Sequence, residues 1–177
     1  MTVPPAALPS RSAPQQRFGI RLDKQYFNFG SAHFLIFADG AREELHGHNY
    51  RATVEIDAPL GSGHLVADFM EVKPLFKACC DELDHRTLLP LHNEHLRIEQ
   101  LGNEVHAFYR DDRYVIPARD CKLLPIANTS SELLAVWLCD QFLARLTAHF
   151  PHLTPDRLLV TVQETPGQSA IYERKWG

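Results

Sequence analysis

The chain has 177 residues, a length that suits one domain and allows a sizeable core. Its 45% hydrophobic and 23% charged residues are typical of a soluble globular protein. The net charge of −4 gives no electrostatic reason to expect nucleic acid or an anionic membrane surface as a partner. No apolar run approaches the roughly 20 residues that a bilayer-spanning helix needs.

The N-terminal segment and the cysteines indicate a cytoplasmic protein. Residues 1–16 are rich in Pro, Ala, Ser and Gln and lack the apolar middle of a secretory signal, so we expect a disordered lead-in to a single domain over residues 17–177. No pair of cysteines has CxxC spacing, which favours reduced, buried thiols over a disulfide framework at Cys79, Cys80, Cys121 and Cys139.

The first third of the chain predicts strands. Residues 17–34 carry large apolar side chains among polar ones and indicate one long strand, and residues 64–69 indicate another strand after a turn at 59–63. Between them, residues 49–57 alternate cleanly between apolar and polar. Because successive side chains of a strand point to opposite faces, one face of this segment is predicted to be buried through Tyr50, Ala52, Val54 and Ile56.

The period then changes to that of an amphipathic helix, with apolar residues at Val72, Leu75, Phe76, Cys79, Cys80 and Leu83. Asp68 and Glu71 predict a capping box at its start, although Pro74 leaves the position of the first turn open. After His85 the sequence is loop-like.

A second helix and two final strands complete the predicted domain. Thr129 and Glu132 form a second capping-box pattern, and the helix behind it is predicted to bury Leu133, Val136, Trp137, Phe142 and Leu146. Strands over residues 157–164 and 169–176 follow, joined by a turn at Pro166 and Gly167. This order of elements predicts an α+β fold with an antiparallel sheet.

Three histidines suggest a metal site. His46 and His48 lie two apart at the start of a predicted strand, so both rings project from one face, and His33 near the end of the preceding strand reaches the same point if the strands pair. Three neutral imidazoles with one open position are typical of catalytic zinc. The alternative is a chance HxH whose histidines bind nothing.

Acidic residues and a fourth histidine permit acid–base chemistry but are ambiguous singly. Glu43 and Glu44 precede the HxH and are either solvated carboxylates or a general acid or base beside a metal. Asp84 and His85 are either a helix end or a proton relay. Glu164 is either a surface residue at a strand end or an acceptor for a guanidine-like ligand edge.

Together these segments resemble the 6-pyruvoyltetrahydropterin synthase / 6-carboxytetrahydropterin synthase family. The resemblance covers nearly the whole chain from Phe18 to Tyr172, and its most specific part is the three-histidine set. The matching segments are Ser31-Ala32-His33-Phe34, Leu45-His46-Gly47-His48-Asn49-Tyr50, Val66-Ala67-Asp68-Phe69 with Val72-Lys73, Leu83-Asp84-His85, Thr129-Ser130-Ser131-Glu132-Leu133-Leu134-Ala135 and Val162-Gln163-Glu164-Thr165.

The resemblance implies the tunnelling fold, a four-stranded antiparallel sheet with two helices on one face. It also implies that subunits join their sheets into a barrel, as a homo-oligomer in which two trimers form a hexamer with active sites between subunits.

The resemblance also implies roles for individual residues. His33, His46 and His48 are the expected Zn²⁺ ligands, and Asp84 with His85 is the expected catalytic dyad, donated by a neighbouring subunit. Glu164 is the expected pterin anchor, and Thr129 and Ser130 are expected to contact the pterin edge through their backbone. The implied substrate is 7,8-dihydroneopterin triphosphate or a related small-molecule pterin.

The chain departs from the family pattern beside the HxH. Most relatives carry a cysteine four residues before the first histidine, where this chain has Arg42. Glu43 instead gives an ExxHGH pattern, which resembles the subgroup that cleaves dihydroneopterin triphosphate to 6-hydroxymethyl-7,8-dihydropterin, a folate precursor. A catalytic role for Glu43 is therefore implied.

Four alternatives remain open at this point. Two are enzymes that the chain also resembles: 6-carboxytetrahydropterin synthase, on the route to 7-deazaguanine nucleosides such as queuosine, and 6-pyruvoyltetrahydropterin synthase. A non-catalytic pterin-binding protein would retain the metal and anchor without turnover. A structural oligomer would bind metal only adventitiously.

The segment of residues 96–124 is longer than a minimal family member requires. Within it, residues 105–109 and 114–116 predict a hairpin around residues 110–113. The segment is either a surface decoration or a lid from which Arg110, Arg113 or Lys122 reaches a phosphate.

Overall fold

The computed structural model describes residues 16–176. The predicted disordered lead-in, residues 1–16, lies outside the described residues except for Gln16. In chain order the elements are β1 (Gly19–Leu22), β2 (Asn28–His33), β3 (His46–Asp57), α1 (Phe69–Asp81), β4 (Arg86–Pro90), β5 (Arg97–Leu101), β6 (Glu104–Tyr109), β7 (Asp112–Pro117), β8 (Cys121–Leu124), α2 (Ser131–His149), β9 (Arg157–Thr165) and β10 (Gln168–Lys175).

The main sheet has the order β10-β9-β3-β2-β4-β8, with β1 also paired to β3. Its first four strands are antiparallel, and β4 and β8 extend it in parallel on the far side of β2. Both helices pack together, α1 against β2 and α2 against β9 and β10. The predicted α+β fold with two helices on an antiparallel sheet is confirmed, and the parallel strands make the whole sheet mixed.

The main core lies between this sheet and the helices. The alternating residues of β3 contribute as predicted, since Tyr50, Ala52, Val54 and Ile56 are all buried. The predicted apolar stripe of α1 faces the same core, which contains Val72, Phe76, Cys79 and Cys80. Burying apolar side chains on one face of each element is what holds helices and sheet together.

A side chain caps the start of each helix, and one of the two predicted caps is wrong. Asp68 caps α1 by accepting a hydrogen bond from the backbone N–H of Met70 at 2.7 Å. The cap of α2 is Ser130 and not the predicted Thr129, because the Ser130 hydroxyl accepts from the backbone N–H of Leu133 at 3.4 Å. Thr129 is fully buried and its hydroxyl donates instead to the carbonyl of Phe34.

Three other predictions about elements are wrong. The predicted long strand over residues 17–34 is two strands, β1 and β2, which pair with the same edge of β3 on either side of an interruption at residues 23–27. Residues 64–69 form a loop and the first turn of α1 rather than a strand, and the expected loop after His85 begins with β4.

The segment of residues 96–124 folds largely as a separate sheet of β5, β6 and β7. The predicted hairpin is confirmed: Val105 pairs with Ile116 and Tyr109 with Asp112. A second, smaller core joins this inserted sheet to the end of β2 and the chain beyond it, through Phe34, Ile36, Leu89, Leu96, Val105, Ala107 and Tyr109.

Two further observations concern the whole described chain. All four cysteines are free thiols, three of them buried and Cys121 half-buried. Neither helix within residues 16–176 has the length and apolar character of a membrane span.

Candidate metal centre and its acid–base neighbours

The pairing of β2 with β3 brings the three histidines together. His33 lies directly opposite His46, and Ser31 lies opposite His48, so all three rings share one face of the sheet. The ring centroids are 4.7 to 5.4 Å apart. Gly47 allows this approach, because a Cβ at that position would lie 3.1 Å from the backbone oxygen of Ser31.

Hydrogen bonds to backbone carbonyls fix the orientation of two rings. The Nδ1 of His33 lies 3.0 Å from the carbonyl oxygen of Thr129, and the Nδ1 of His46 lies 2.8 Å from that of Glu44. A carbonyl oxygen only accepts, so each Nδ1 donates to it, and the Nε2 of each ring is left for other contacts. Metal-bound histidines are commonly held in this way.

The donor set fits a divalent metal such as zinc. Ligand atoms of His33, His46, His48 and Glu164 all lie within 4.8 Å of one another. Burial and the neighbouring His46 lower the pKa of His33, which favours the neutral, coordinating form of its ring. Imidazole nitrogens and a carboxylate oxygen are ligands that zinc accepts. The observed geometry therefore supports the predicted site at the three histidines.

Glu164 lies within this cluster. Its Oε1 is 3.1 Å from the Nε2 of His48 and 3.6 Å from the Nε2 of His33. β9 brings it there, because β9 pairs with β3 on the side opposite β2. A carboxylate at this point can coordinate a metal or accept hydrogen bonds from a ligand beside it.

Tyr50, predicted only as a core residue, is a further neighbour of the cluster. Its hydroxyl lies 2.9 Å from the Nε2 of His33. Burial, then the charge of Glu164 and a hydrogen bond with it, and then the charge of Glu43 raise the pKa of Tyr50, so the phenol stays protonated. The available signal was the alternation of β3, which places Tyr50 on the same face as His46 and His48.

Glu43 is held by a short pairing with the chain after β2. Its Oε2 accepts a hydrogen bond from the backbone N–H of Leu35 at 3.1 Å, and its own N–H donates to the carbonyl of Leu35 at 2.9 Å. The side chain is half-buried, and its charge acts on Tyr50. Glu43 is thus held at Leu35 through Oε2, and its Oε1 makes no hydrogen bond to the described residues.

Asp84 and His85 form the predicted pair but lie on the other face of the sheet. Asp84 accepts from the N–H of Gly30 at 2.7 Å and from the Nδ1 of His85 at 2.9 Å. Burial raises the pKa of Asp84, but these two hydrogen bonds and the charge of His85 outweigh it and lower the pKa.

The ring of His85 is 89% exposed at an open depression of about 490 Å³ that is lined by Ala32 and Gly47, and also by Ser31 and His48. Ala32 and Gly47 alternate with the three histidines along β2 and β3, so they lie on the opposite face. Asp84 is on that opposite face, since its Oδ1 would lie 3.8 Å from a Cβ at Gly30. Neither Asp84 nor His85 belongs to the cluster of ligand atoms at His33, His46, His48 and Glu164, although the depression beside His85 reaches His48.

Thr129 and Ser130 lie at the start of α2, beside the histidines. The carbonyl of Thr129 orients His33, and its N–H donates to the side chain of Asn128 at 3.0 Å. Their predicted contact with a pterin stays a prediction. The orienting role of the Thr129 carbonyl carried no sequence signal, because any residue has a backbone carbonyl.

The structure is thus an α+β domain with a candidate metal centre on the antiparallel part of a sheet, against which two helices pack. Comparison with known proteins identifies the family. A family model described as 6-pyruvoyl tetrahydropterin synthase matches residues 22–175. The chain belongs to that family.

Among curated relatives, a protein of Methanocaldococcus jannaschii assigned as a 6-carboxy-5,6,7,8-tetrahydropterin synthase is 33% identical over 148 residues, 82% of this chain and 89% of the relative. A Haemophilus influenzae 6-carboxy-5,6,7,8-tetrahydropterin synthase is 36% identical over 73 residues, 38% of this chain and 52% of the relative.

Among solved structures, the 6-pyruvoyl tetrahydropterin synthase of Plasmodium vivax superposes with a TM-score of 0.83 at 29% identity, covering 92% of this chain and all of that one. Two further structures of the Plasmodium vivax protein carry alanine or cysteine in place of a glutamate described as a catalytic residue. The fold of the chain is that of these synthases.

Proposed function

We propose that the chain is a zinc-dependent pterin lyase that acts on the side chain of 7,8-dihydroneopterin triphosphate and yields 6-hydroxymethyl-7,8-dihydropterin. The observation that carries the proposal is the convergence of three histidines and Glu164 on one point, with the Nδ1 atoms of His33 and His46 bound to backbone carbonyls. Membership of the family supports chemistry on a tetrahydropterin, and the proposed product rests on Glu43, in the ExxHGH pattern before His46.

His33, His46 and His48 would hold the zinc. A bound zinc ion supplies a Lewis acid that polarises an oxygen of the substrate side chain. Glu164 would accept hydrogen bonds from the 2-amino and N3 positions of the pterin, and two parallel N–H···O⁻ bonds would fix the ring. Thr129 and Ser130 would contact the pterin edge through their backbone.

Glu43 would be the general base. Its Oε2 is held by the N–H of Leu35, so Oε1 is available to take a proton from a side-chain hydroxyl. Loss of that proton and cleavage of the adjacent carbon–carbon bond leave an aldehyde, while the bonding electrons pass into the pterin ring and the carbon retained on the ring takes up a proton. The Plasmodium vivax structures with a catalytic glutamate replaced support carboxylate catalysis within this family.

The Asp84–His85 pair would supply or remove the second proton from a neighbouring subunit. The support is geometric: Asp84 lies beside Gly30, on the face of β2 opposite the histidines, and neither member of the pair belongs to the ligand cluster, so we infer that another copy brings the pair to their site. We therefore propose a homo-oligomer in which sheets join edge to edge into a barrel, as two stacked trimers. In the described residues β10 has an unpaired outer edge, which such joining would satisfy.

A second candidate function is that of a 6-carboxytetrahydropterin synthase. The similarity to the Methanocaldococcus jannaschii protein favours it. The two functions share the metal and the pterin anchor and differ in the product, so product identification separates them.

The test is incubation of the zinc-loaded protein with 7,8-dihydroneopterin triphosphate and identification of the product by mass spectrometry. We expect 6-hydroxymethyl-7,8-dihydropterin. Glu43→Gln keeps the shape of the side chain but removes the base, and should lower kcat by about 100-fold or more.

Glu44→Gln is the matched control. The side chain of Glu44 is exposed, and Glu44 contacts His46 through its backbone carbonyl. 6-Carboxytetrahydropterin without any hydroxymethyl product would refute the proposed reaction. Wild-type protein that binds pterin without any turnover would show a binding protein instead.

A further inference from the structure

We propose that Arg42 and the inserted sheet of β5–β7 act as a clamp that positions Glu43. The inference rests on the proposed function for the role of Glu43 as the base. It assigns a purpose both to the residue that replaces the cysteine of most relatives and to the inserted segment. Arg42 is here a positioning residue, because it contacts the loop and not the metal site.

Arg42 is bound from three directions. Its guanidinium lies 5.4 Å from the ring centroids of Phe34, Tyr109 and Tyr114, two of which belong to the inserted sheet. Its Nη2 pairs with Asp112 of that sheet at 3.2 Å, and only 12% of its side chain is exposed. A cation held between aromatic faces and a carboxylate has little freedom to move.

The same side chain holds the backbone of the proposed base. The Nη1 of Arg42 donates to the carbonyl of Glu43 at 2.6 Å. One guanidinium therefore connects the inserted sheet directly to the peptide unit of Glu43. A planar group with several fixed donors can make both contacts at once, which the single ammonium of a lysine does poorly.

A second connection reaches the turn before Arg42. The carbonyl of Gly40 accepts from the hydroxyl of Tyr109 and from the Nη2 of Arg110, the latter at 3.1 Å. Gly40 has a φ of +77°, a conformation that other residues adopt with strain. The inserted sheet thus contacts both the turn and the single β-bridge between Ile36 and Arg42 that flanks the turn.

Buried apolar contacts attach the inserted sheet to the chain that leads to this turn. Phe34 and Ile36, on the chain that leads to the turn, share the smaller core with Val105, Ala107 and Tyr109 of the inserted sheet. Two cations of the segment have partners within the chain, since Arg110 donates to the carbonyl of Gly40 and Lys122 pairs with Glu82.

Three variants test the clamp. Arg42→Ala removes both the cage contact and the bond to Glu43. Arg42→Lys keeps the charge but not the paired donors, and Tyr109→Phe removes only the bond to Gly40.

Two controls match them. Arg97→Ala removes another arginine–aromatic contact of the same sheet, 3.9 Å above Phe108 and away from the loop. Tyr114→Phe removes a hydroxyl that makes no hydrogen bond to the described residues and keeps the ring beside Arg42.

We expect Arg42→Ala to lower kcat by about 100-fold, the cost of misplacing a catalytic group by roughly an ångström, with KM and zinc content near wild type. Arg42→Lys and Tyr109→Phe should lie between this variant and wild type. Amide hydrogen exchange at Leu35 and Glu43 should accelerate in the same order, by about tenfold or more in Arg42→Ala. Both controls should match wild type.

Unchanged kcat and unchanged exchange in all three Arg42 and Tyr109 variants would overturn the proposal. Exchange that accelerates throughout the protein in Arg42→Ala alone would show unfolding, and Tyr109→Phe then decides: normal exchange at Leu35 and Glu43 in that variant overturns the clamp. Exchange needs no substrate. A wild-type protein without lyase activity therefore refutes the proposed function while the exchange data still test the clamp.

Discussion

At the scale of single residues, Glu82 has a pKa shift that connects charge to stability. It ends α1, and its carboxylate pairs with Lys122 of β8 and with Arg145 of α2. Burial raises its pKa, but the hydrogen bonds and charges of these two cations outweigh that effect and lower it below the ordinary value of 4.5. A carboxyl whose pKa falls on folding stabilises the folded state above its unfolded pKa.

This contribution should be lost as the pH falls below 4.5 through the lower folded pKa of Glu82. Glu82→Gln should therefore lower Tm at neutral pH and flatten the decline of Tm in acid. Thermal unfolding of zinc-free protein between about pH 3 and 7 measures both, without interference from release of the metal. Glu94→Gln, whose side chain is 88% exposed, is the control. Parallel Tm curves for Glu82→Gln and wild type would contradict the expectation.

Residue type and spacing were enough to predict that the three histidines converge, because His46 and His48 alternate on one strand and His33 lies on the strand that pairs with it. The orientation of the rings was not predictable, because it depends on the carbonyls of Thr129 and Glu44, which any sequence supplies. Tyr50 was missed for another reason: a tyrosine at an inward position of a strand usually belongs to the core.

At the scale of elements, length and periodicity decided what the sequence could predict. β3, β9 and β10 are 12, 9 and 8 residues long and were predicted within three residues of their observed bounds. The 19-residue α2 was predicted behind Thr129, close to its observed start. β4 and β8 have 5 and 4 residues without alternation, so they resembled loops. Their pairing is parallel and joins distant segments, which a local pattern does not reveal.

The break between β1 and β2 shows how a correct pattern can give a wrong boundary. Leu22 pairs with Val54 and Asn28 pairs with Arg51, so six steps along one side match three on the other. The extra residues leave the ladder, although apolar residues continue through the interruption. Phe27 within it is fully buried, which explains why the segment looked like one strand.

At the scale of the whole molecule, the position of His85 makes a prediction about assembly. A His46→Ala chain would lack a metal ligand, and a His85→Ala chain would lack the proposed dyad. If the dyad comes from a neighbouring subunit, mixed oligomers contain some sites with both groups intact.

We therefore expect each variant to be inactive alone and the two to regain lyase activity when they are expressed together. Differently tagged chains, purified through both tags, confirm that the oligomers are mixed. The control is a chain with both His46→Ala and His85→Ala, co-expressed with the His85→Ala chain, because no site in those oligomers has a His85. Mixed oligomers without activity would contradict donation of the dyad between subunits.

The metal centre is the feature on which the proposed chemistry depends, and zinc content after chelation and reloading tests it most directly. Wild-type protein stripped with a chelator, supplied with zinc and dialysed should regain about one ion per chain. His46→Ala should regain far less, while His152→Ala, which changes an exposed histidine away from the cluster, should match wild type. Wild-type protein that retains no zinc, or a His46→Ala variant that retains as much as wild type, would contradict the site at His33, His46 and His48.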